Sequence, residues 1–281
     1  MASLEPRSNN KVYIVLGLFG ITIIIYEIFM LTPGIPKLYE IIIIPVGKGY
    51  DLATLLYMSG SAITAFSSFR VAKKYIGSAM FTKAYFCLGL GYSSWFVGDL
   101  LFFYDDYVQE LPHLIIPLLP DGEKTFIVRP ADFVYLGIYI NMSLHLYLNT
   151  NWFEKNKLKI FKKKAETKFF LFGVPAIGAV IYFTQYGTIN FESILGSLNA
   201  VGGAFTLGLV FWGARVFKAS SLAPAWTLLL LGIFISTVGD FLYYQVEDFN
   251  EVFGIYSFSI TCYLLMYMIM NYGLYKHMKI L

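Results

Sequence analysis

Long apolar runs recur along the whole chain and restrict its fold more than any other feature. A helix needs about 20 mostly apolar residues to cross the hydrocarbon core of a bilayer, and it satisfies its own backbone hydrogen bonds there. Runs of this length predict eight transmembrane helices, at roughly 12–31, 50–70, 79–104, 131–150, 168–186, 194–217, 222–245 and 252–275. Hydrophobic residues make up 57% of the 281 positions and charged residues only 14%. The sequence therefore predicts an all-α, polytopic integral membrane protein.

One apolar segment and the N-terminus need separate interpretations. Segment 33–48 is interrupted by Pro33, Pro36 and Pro45, and proline breaks a helix interior because it lacks a backbone donor. We expect this segment to lie at the membrane interface or to form a short re-entrant piece. The apolar run after Lys11 shows no small-residue cleavage pattern, which predicts a retained first span rather than a signal peptide.

The basic residues predict the orientation of the spans. With the N-terminus inside, most of the 21 lysines and arginines fall on one side, including the lysine-rich segment 154–168, and acidic residues outnumber the remaining basic ones on the other side. The positive-inside rule then predicts that both termini are cytoplasmic. Segment 154–168 is either a topology determinant or a contact for anionic lipids or an acidic partner. The dispersed charge predicts no binding of nucleic acid.

A short segment occurs twice and indicates an internal repeat. LGYSSWFVGD ends at Asp99 and LGIFISTVGD ends at Asp240, with five of ten positions identical. The copies fall in the third and seventh predicted spans, which divides the chain into a first four-helix repeat (1–150), a basic cytoplasmic linker (151–167) and a second four-helix repeat (168–281). Each repeat also carries two tyrosines four residues apart in its last span. Four helices per repeat give both the same orientation, with the two-fold axis along the membrane normal.

Asp99 and Asp240 are the principal candidates for a functional site. Each lies about five residues from the outer end of its helix, or roughly 7–8 Å at 1.5 Å per residue, and a carboxylate inside a span is costly and commonly functional. Three interpretations remain open. The carboxylates accept structural hydrogen bonds at helix crossings that the preceding glycines permit, they form a ligand or proton site between the repeats, or they are catalytic.

Other polar residues near the predicted spans have simpler interpretations. Asp132 opens the fourth span directly after Pro130, where a carboxylate caps the helix and interacts with its dipole, and it lies on the same side as Asp99 and Asp240. His145 is the only histidine inside a predicted span, and we expect it to be a hydrogen-bonded core residue; His277 falls in the C-terminal tail. One histidine does not make a metal site, so we predict neither a metal nor a cofactor.

The segment WFVGDLLFFYDDYV, followed by RPADFVYLGIYINMSLHL, resembles the multi-helix membrane input region found before histidine-kinase and diguanylate-cyclase modules. The positions that carry the resemblance are Gly98, Asp99, Tyr104, Ala131, Asp132, Tyr135, Leu136 and Tyr139, with Gly239 and Asp240 marking the second half. The resemblance implies signal sensing or small-ligand binding at the membrane. Because few residues follow the eighth span, we expect a sensing role to require a separate output partner.

A weaker similarity is to the lysoplasmalogenase-like membrane hydrolases, which also have eight spans and a Gly-Asp motif in one half. In that comparison Asp99, Asp240, His145 and Tyr147 fall on the family's acidic and His/Tyr positions. This similarity implies hydrolysis of an ether lipid, with Asp99 and Asp240 as general acid and base. The family's lysine–proline feature is absent from the second span, which reads VAKKYIG at its end.

Together these observations predict a non-catalytic, multi-pass protein of the cell membrane. It would bind or sense a small ligand at its outer face, or act as an accessory subunit of a membrane complex. Its partners would be membrane lipids and a protein in the membrane or at the cytoplasmic face. The alternatives are the ether-lipid hydrolase and a proton- or cation-coupled transporter. The predicted ligand-binding residues are Asp99, Asp240, Asp132, Tyr135 and Tyr139.

Overall fold

A computed structural model describes Ile21 and residues 52–107, 114–117, 125–157, 191–217, 223–248 and 253–280. These residues form six long helices and one short hairpin. In chain order the elements are α1 (Leu52–Lys74), α2 (Ala79–Tyr107), β1 (Leu114–Pro117), β2 (Thr125–Val128), α3 (Pro130–Lys157), α4 (Phe191–Phe217), α5 (Ala223–Asp248) and α6 (Phe253–Ile280).

The described helices occupy six of the eight predicted spans. They run from 23 to 29 residues, which is longer than the roughly 20 residues that a bilayer requires, so most of them extend past the predicted ends. The predicted spans 12–31 and 168–186 and the segment 33–48 lie outside the described residues, except for helical Ile21. Most of the lysine-rich segment 154–168 also lies outside them.

Two segments of the described helices are long and apolar enough to cross a membrane. They are Ala79–Asp105 in α2 and Ala223–Asp240 in α5. Four apolar side chains along one face of α2, Phe86, Leu90, Val97 and Leu100, are between 38% and 50% exposed. A helix that is apolar on its exposed face as well as its packed face is typical of a lipid environment.

The six described helices close a ring. Each helix packs against the next one in the chain, and α6 packs back against α1. Aromatic side chains fill the interior: the Tyr92 ring of α2 lies 6.0 Å from that of Tyr267 in α6, and Tyr85 lies 6.2 Å from Trp226 in α5. Large rings suit this position because they bridge helices that are not neighbours in the ring.

The connection between α2 and α3 contains a feature that the all-α prediction did not include. Strands β1 and β2 pair antiparallel, with Leu114 opposite Val128 and Pro117 opposite Thr125. Their sequences, LIIP and TFIV, are rich in β-branched residues, which favour strands. The loop between two helices therefore folds back on itself as a hairpin.

Candidate functional site

Asp99 lies in α2 and is 2% exposed. The hydroxyl of Tyr135 in α3 donates a hydrogen bond to Asp99 Oδ1. The preceding residue permits this approach, because a Cβ added to Gly98 would lie 2.8 Å from Tyr135 Cε1. The second oxygen, Asp99 Oδ2, is buried and has no hydrogen-bond partner among the described residues. Asp99 therefore retains one buried acceptor atom that no described side chain or backbone group satisfies.

Asp240 lies in α5 and is held by two tyrosines. Tyr263 Oη in α6 donates to Asp240 Oδ1 at 2.9 Å, and Tyr139 Oη in α3 donates to Asp240 Oδ2 at 3.3 Å. The glycine again permits the contact, because a Cβ on Gly239 would lie 3.0 Å from Tyr263 Cε1. Both oxygens of Asp240 thus have a protein partner.

Helix α3 brings the two aspartates into one region. Tyr135 and Tyr139 are four residues apart, which places them on one face of the helix with a rise of about 6 Å between them. Tyr135 contacts Asp99 and Tyr139 contacts Asp240. A further link joins α2 to α6, because the Trp95 ring lies 5.3 Å from the Tyr263 ring, edge to face.

We call the group formed by Asp99, Asp240, Tyr135, Tyr139 and Tyr263 the aspartate–tyrosine cluster. Four helices contribute to it. It contains four of the five residues that the sequence predicts as ligand-binding, and it adds Tyr263. The sequence does contain a signal for Tyr263, because its spacing from Tyr267 repeats that of Tyr135 and Tyr139.

Asp132 has the contacts of a helix cap. The backbone N–H of Arg129 donates to Asp132 Oδ2 at 2.8 Å, as expected for a carboxylate in the first turn of a helix. The Arg129 guanidinium lies 3.5 Å from Asp105 Oδ2 and stacks over the Phe102 ring at 5.1 Å. These contacts tie the start of α3 to the end of α2, one turn before Tyr135.

The two described histidines lie away from this cluster. His145 is fully buried, and its Nδ1 lies 2.9 Å from the Ala84 carbonyl oxygen, so the prediction of a hydrogen-bonded core histidine is confirmed. The placement of His277 in a tail is wrong: α6 continues to Ile280, and His277 is fully buried. The repeated apolar positions Met270 and Leu274, both buried, are the signal that could have extended the helix.

His277 has a partner in the turn between α1 and α2. Its Nδ1 lies 3.3 Å from Tyr75 Oη. Burial raises the pKa of Tyr75 to about 12, because the phenolate is poorly solvated there. The hydroxyl therefore stays protonated at neutral pH and is able to donate this hydrogen bond.

Neither region has the composition of a metal centre. Within the described ranges, no three histidine, cysteine, aspartate or glutamate side chains lie close enough together to hold a metal ion. Comparison with protein-family models, with curated proteins and with solved structures finds no match. The aspartate–tyrosine cluster offers one buried carboxyl oxygen, Asp99 Oδ2, to a hydrogen-bond donor.

Proposed function

We propose that this protein is a multi-pass membrane protein of the cell membrane that binds a small ligand at its outer face through the aspartate–tyrosine cluster. Asp99 Oδ2 carries the proposal, because it is buried and has no partner among the described residues. A buried polar atom without a partner costs about 1–3 kcal/mol, and more when the group is charged. A ligand that donates a hydrogen bond, such as an ammonium or a hydroxyl group, would remove that cost.

The occupied state of Asp240 supports binding rather than hydrolysis. Both Asp240 oxygens accept hydrogen bonds from tyrosines, and Asp99 accepts one from Tyr135. An acid–base pair would require both carboxylates to reach the substrate. One available oxygen among four suits recognition of a single donor group better than proton transfer at two points.

The proposed architecture has eight membrane helices in two parallel four-helix repeats, with both termini cytoplasmic. Matched contacts around the ring support the repeat. Asp99 in α2 accepts from Tyr135 in the next helix, and Asp240 in α5 accepts from Tyr263 in the next helix. Asp240 is closer in sequence to Tyr263 than Asp99 is to Tyr135, because the connection between α5 and α6 is shorter than that between α2 and α3.

The interfaces that join the two halves also match. A Cβ on Gly60 would lie 2.6 Å from the Tyr267 ring, and a Cβ on Gly202 would lie 3.0 Å from Tyr139 Cβ. Tyr139 and Tyr267 are as far apart in sequence as Tyr135 and Tyr263, so the proposed repeat makes them equivalent positions. Each half therefore inserts a tyrosine against a glycine of the other half, an exchange that a two-fold axis would generate.

The polar contacts one turn further along these helices follow the same rule. Asn271 Nδ2 donates to Thr64 Oγ1 at 2.7 Å, and Ser143 Oγ lies 3.0 Å from Thr206 Oγ1. Thr64 and Asn271 lie four positions after Gly60 and Tyr267. Ser143 and Thr206 lie four positions after Tyr139 and Gly202. These matched spacings support the proposed equivalence of the halves along both interfaces. Contacts of this kind stabilise helix pairs in membranes.

In this proposal the protein senses its ligand and passes the signal to a separate partner, or it serves as the ligand-binding accessory subunit of a membrane complex. The resemblance to membrane input regions favours these roles over transport. Lipids would contact the apolar outer face of helices such as α2. The protein partner would lie in the membrane or at the cytoplasmic face, where most basic residues are expected.

Native mass spectrometry of the full chain released from lipid nanodiscs tests the binding proposal. We expect wild-type protein to carry a co-purified small molecule. Asp99→Asn, which keeps the shape of the side chain but replaces one carboxyl oxygen with an amide nitrogen, should lower the bound fraction about fivefold, since a hydrogen bond contributes about 1 kcal/mol.

Tyr92→Phe is the matched control because it removes a buried hydroxyl that donates to Met266 Sδ at 3.2 Å. This variant should retain the small molecule. Equal occupancy in wild type and Asp99→Asn would contradict the proposal. The proposal would also be contradicted if wild-type protein carried no ligand and Asp99→Asn raised its Tm. The unpartnered oxygen would then only destabilise the core and would not bind a ligand.

A further inference from the structure

A second buried polar group lies far from the aspartate–tyrosine cluster. It consists of Tyr85 in α2, His145 in α3, Trp226 in α5 and His277 in α6, all fully buried. Tyr85 lies four helical turns before the aspartate of α2, and Trp226 lies four turns before the aspartate of α5. At a pitch of 5.4 Å this is roughly 21 Å along the helix axes. The group is therefore a separate site.

The four rings form a closed arrangement that we call the histidine cluster. The Tyr85 ring lies 5.0 Å from that of His145 and 5.1 Å from that of His277. The Trp226 ring lies 5.5 Å from that of His145 and 5.7 Å from that of His277. Tyr85 and Trp226 thus each lie beside both histidines.

Each ring of the histidine cluster has one polar atom without a partner. Tyr85 Oη, His145 Nε2, Trp226 Nε1 and His277 Nε2 are all buried, and none has a hydrogen-bond partner among the described residues. Native proteins rarely leave such atoms unsatisfied, and ordered water is the usual partner when protein groups are absent. Four such atoms in adjacent rings need hydrogen-bonding partners that the described protein groups do not supply.

The partners of the other ring nitrogens define what an occupant must offer. His145 Nδ1 lies 2.9 Å from the Ala84 carbonyl oxygen and 3.3 Å from Asn149 Nδ2. The carbonyl only accepts, and Asn149 Nδ2 already donates to the His145 carbonyl at 2.8 Å, so the shorter contact decides and Nδ1 carries the hydrogen. Neutral His145 then presents a bare Nε2 acceptor. Trp226 Nε1 is a donor only.

His277 Nδ1 faces Tyr75 Oη, which is able to donate or accept. If Tyr75 donates, the His277 hydrogen is on Nε2, which is then a donor; if Tyr75 accepts, the hydrogen is on Nδ1 and Nε2 is an acceptor.

Water satisfies the four unpartnered atoms of the histidine cluster whichever nitrogen of His277 carries the hydrogen. It accepts from Trp226 and donates to His145 in both states. Its remaining donor and acceptor go to His277 and to the Tyr85 hydroxyl, which rotates to supply whichever role is left. We infer that the histidine cluster is an internal water site, in which one or two water molecules connect α2, α3, α5 and α6.

The same atoms disfavour a cation. The Trp226 N–H would repel a metal ion, and two imidazoles are too few ligands for a closed site. The faces of the Trp226 ring are covered by stacked His145 at 5.5 Å and stacked Phe217 at 3.9 Å, so they are not open to an organic cation. A neutral molecule with two donors and two acceptors is the remaining match.

Thermal unfolding of full-length Tyr85→Phe in lipid nanodiscs tests this inference. In a hydrated cluster the variant loses a hydrogen bond to water, and its Tm should fall by about 2–4 °C. In a dry cluster it loses only an unsatisfied hydroxyl, and its Tm should stay the same or rise, which would overturn the inference. Tyr92→Phe calibrates the loss of a buried hydroxyl that has a protein partner.

A measurement on the wild-type protein does not depend on how the variants fold. Solid-state NMR of chains labelled with ¹⁵N-histidine and ¹⁵N-tryptophan in bilayers should show magnetisation transfer from water to the ring nitrogens of His145, Trp226 and His277. Absence of transfer to all three would overturn the inference. One transition-metal ion per chain that is lost in His277→Gln would overturn it as well, because the occupant would then be a metal.

Discussion

At the scale of single residues, the glycine before each aspartate determines whether the aspartate–tyrosine cluster can form. Gly98 and Gly239 each face the ring of a tyrosine whose hydroxyl donates a hydrogen bond to the adjacent aspartate. Any larger residue would push the ring away from the carboxylate as well as from the helix. The repeated pattern within the chain, Val-Gly-Asp in both copies, thus pairs a small residue with the acid for a steric reason.

Gly98→Ala should destabilise the protein. The new Cβ would lie 2.8 Å from Tyr135 Cε1, and overpacking of this kind costs typically about 1–3 kcal/mol. Gly203→Ala is the matched control, because its Cβ would lie 3.8 Å from Tyr139 Cε1, and alanine favours a helix over glycine by about 0.5–1 kcal/mol. Denaturant unfolding in detergent should give a loss for the first variant and no loss for the second; equal stabilities would show that the Tyr135 ring moves freely.

The two tyrosines on Asp240 should contribute unequally. Tyr263 Oη lies at 2.9 Å and Tyr139 Oη at 3.3 Å, and hydrogen bonds to charged groups contribute about 1.5–3 kcal/mol when their geometry is good. We expect Tyr263→Phe to lower the Tm more than Tyr139→Phe. Tyr147→Phe, at a ring that is 41% exposed, should have no measurable effect. A larger loss from Tyr139→Phe would reverse the assignment of the main partner.

At the scale of helices, the closed ring depends on the contact between the first and last described helices. Lys74 Nζ donates to the Met278 carbonyl at 2.6 Å at one end of this interface, and Asn271 contacts Thr64 further along it. The interface between α3 and α4 has the corresponding contact between Ser143 and Thr206. These two interfaces, α1–α6 and α3–α4, join residues that are far apart in sequence.

Disulfide cross-linking tests the ring. In a background without Cys87 and Cys262, the pair Thr64→Cys with Asn271→Cys should cross-link within one chain on oxidation, because the side chains are in contact at 2.7 Å. The pair Thr64→Cys with Thr206→Cys, on helices α1 and α4 that are opposite in the ring, is the control and should not. Cross-linking of the control, or of neither pair, would contradict this order of helices.

Periodicity predicts helices better than it predicts their ends and connections. The predicted spans match α1 to α6 because apolar runs of this length have few other structures available. The ends are less accurate because polar residues such as His277 are buried when a neighbour, here Tyr75, partners them. The hairpin was missed because strand pairing depends on the return of the chain, which neither short strand indicates alone.

The candidate site was predicted in part for a related reason. Asp99 and Asp240 stand out as charges within apolar runs, so the sequence identifies them directly. Their tyrosine partners could be suggested only by spacing, since the sequence does not say which ring faces which helix. Of the histidine cluster only His145 was singled out, as a core residue; the cluster itself was missed, because its four members come from four helices and share no local pattern.

At the scale of the whole molecule, the proposed orientation places the α1–α2 turn and the β1–β2 hairpin on opposite sides of the membrane. A single helix, α2, separates them, and its 29 residues are sufficient to cross a bilayer. The aspartate–tyrosine cluster lies toward the hairpin end of α2, and the histidine cluster lies toward the turn. The orientation therefore decides from which side a ligand would reach Asp99.

Cysteine labelling in intact cells tests the orientation, again in a background without Cys87 and Cys262. Gly77→Cys in the α1–α2 turn is exposed, and an added Cβ there has no atom within 4 Å, so it should be tolerated and should react with a membrane-impermeant maleimide only after permeabilisation. Gly122→Cys, between the two strands in sequence, should react from outside in intact cells. Reversed labelling would place the aspartate–tyrosine cluster on the cytoplasmic side, and the ligand would then be an intracellular one. Labelling of both sites from one side would mean that α2 does not span the bilayer, and the outer-face site would have to be abandoned.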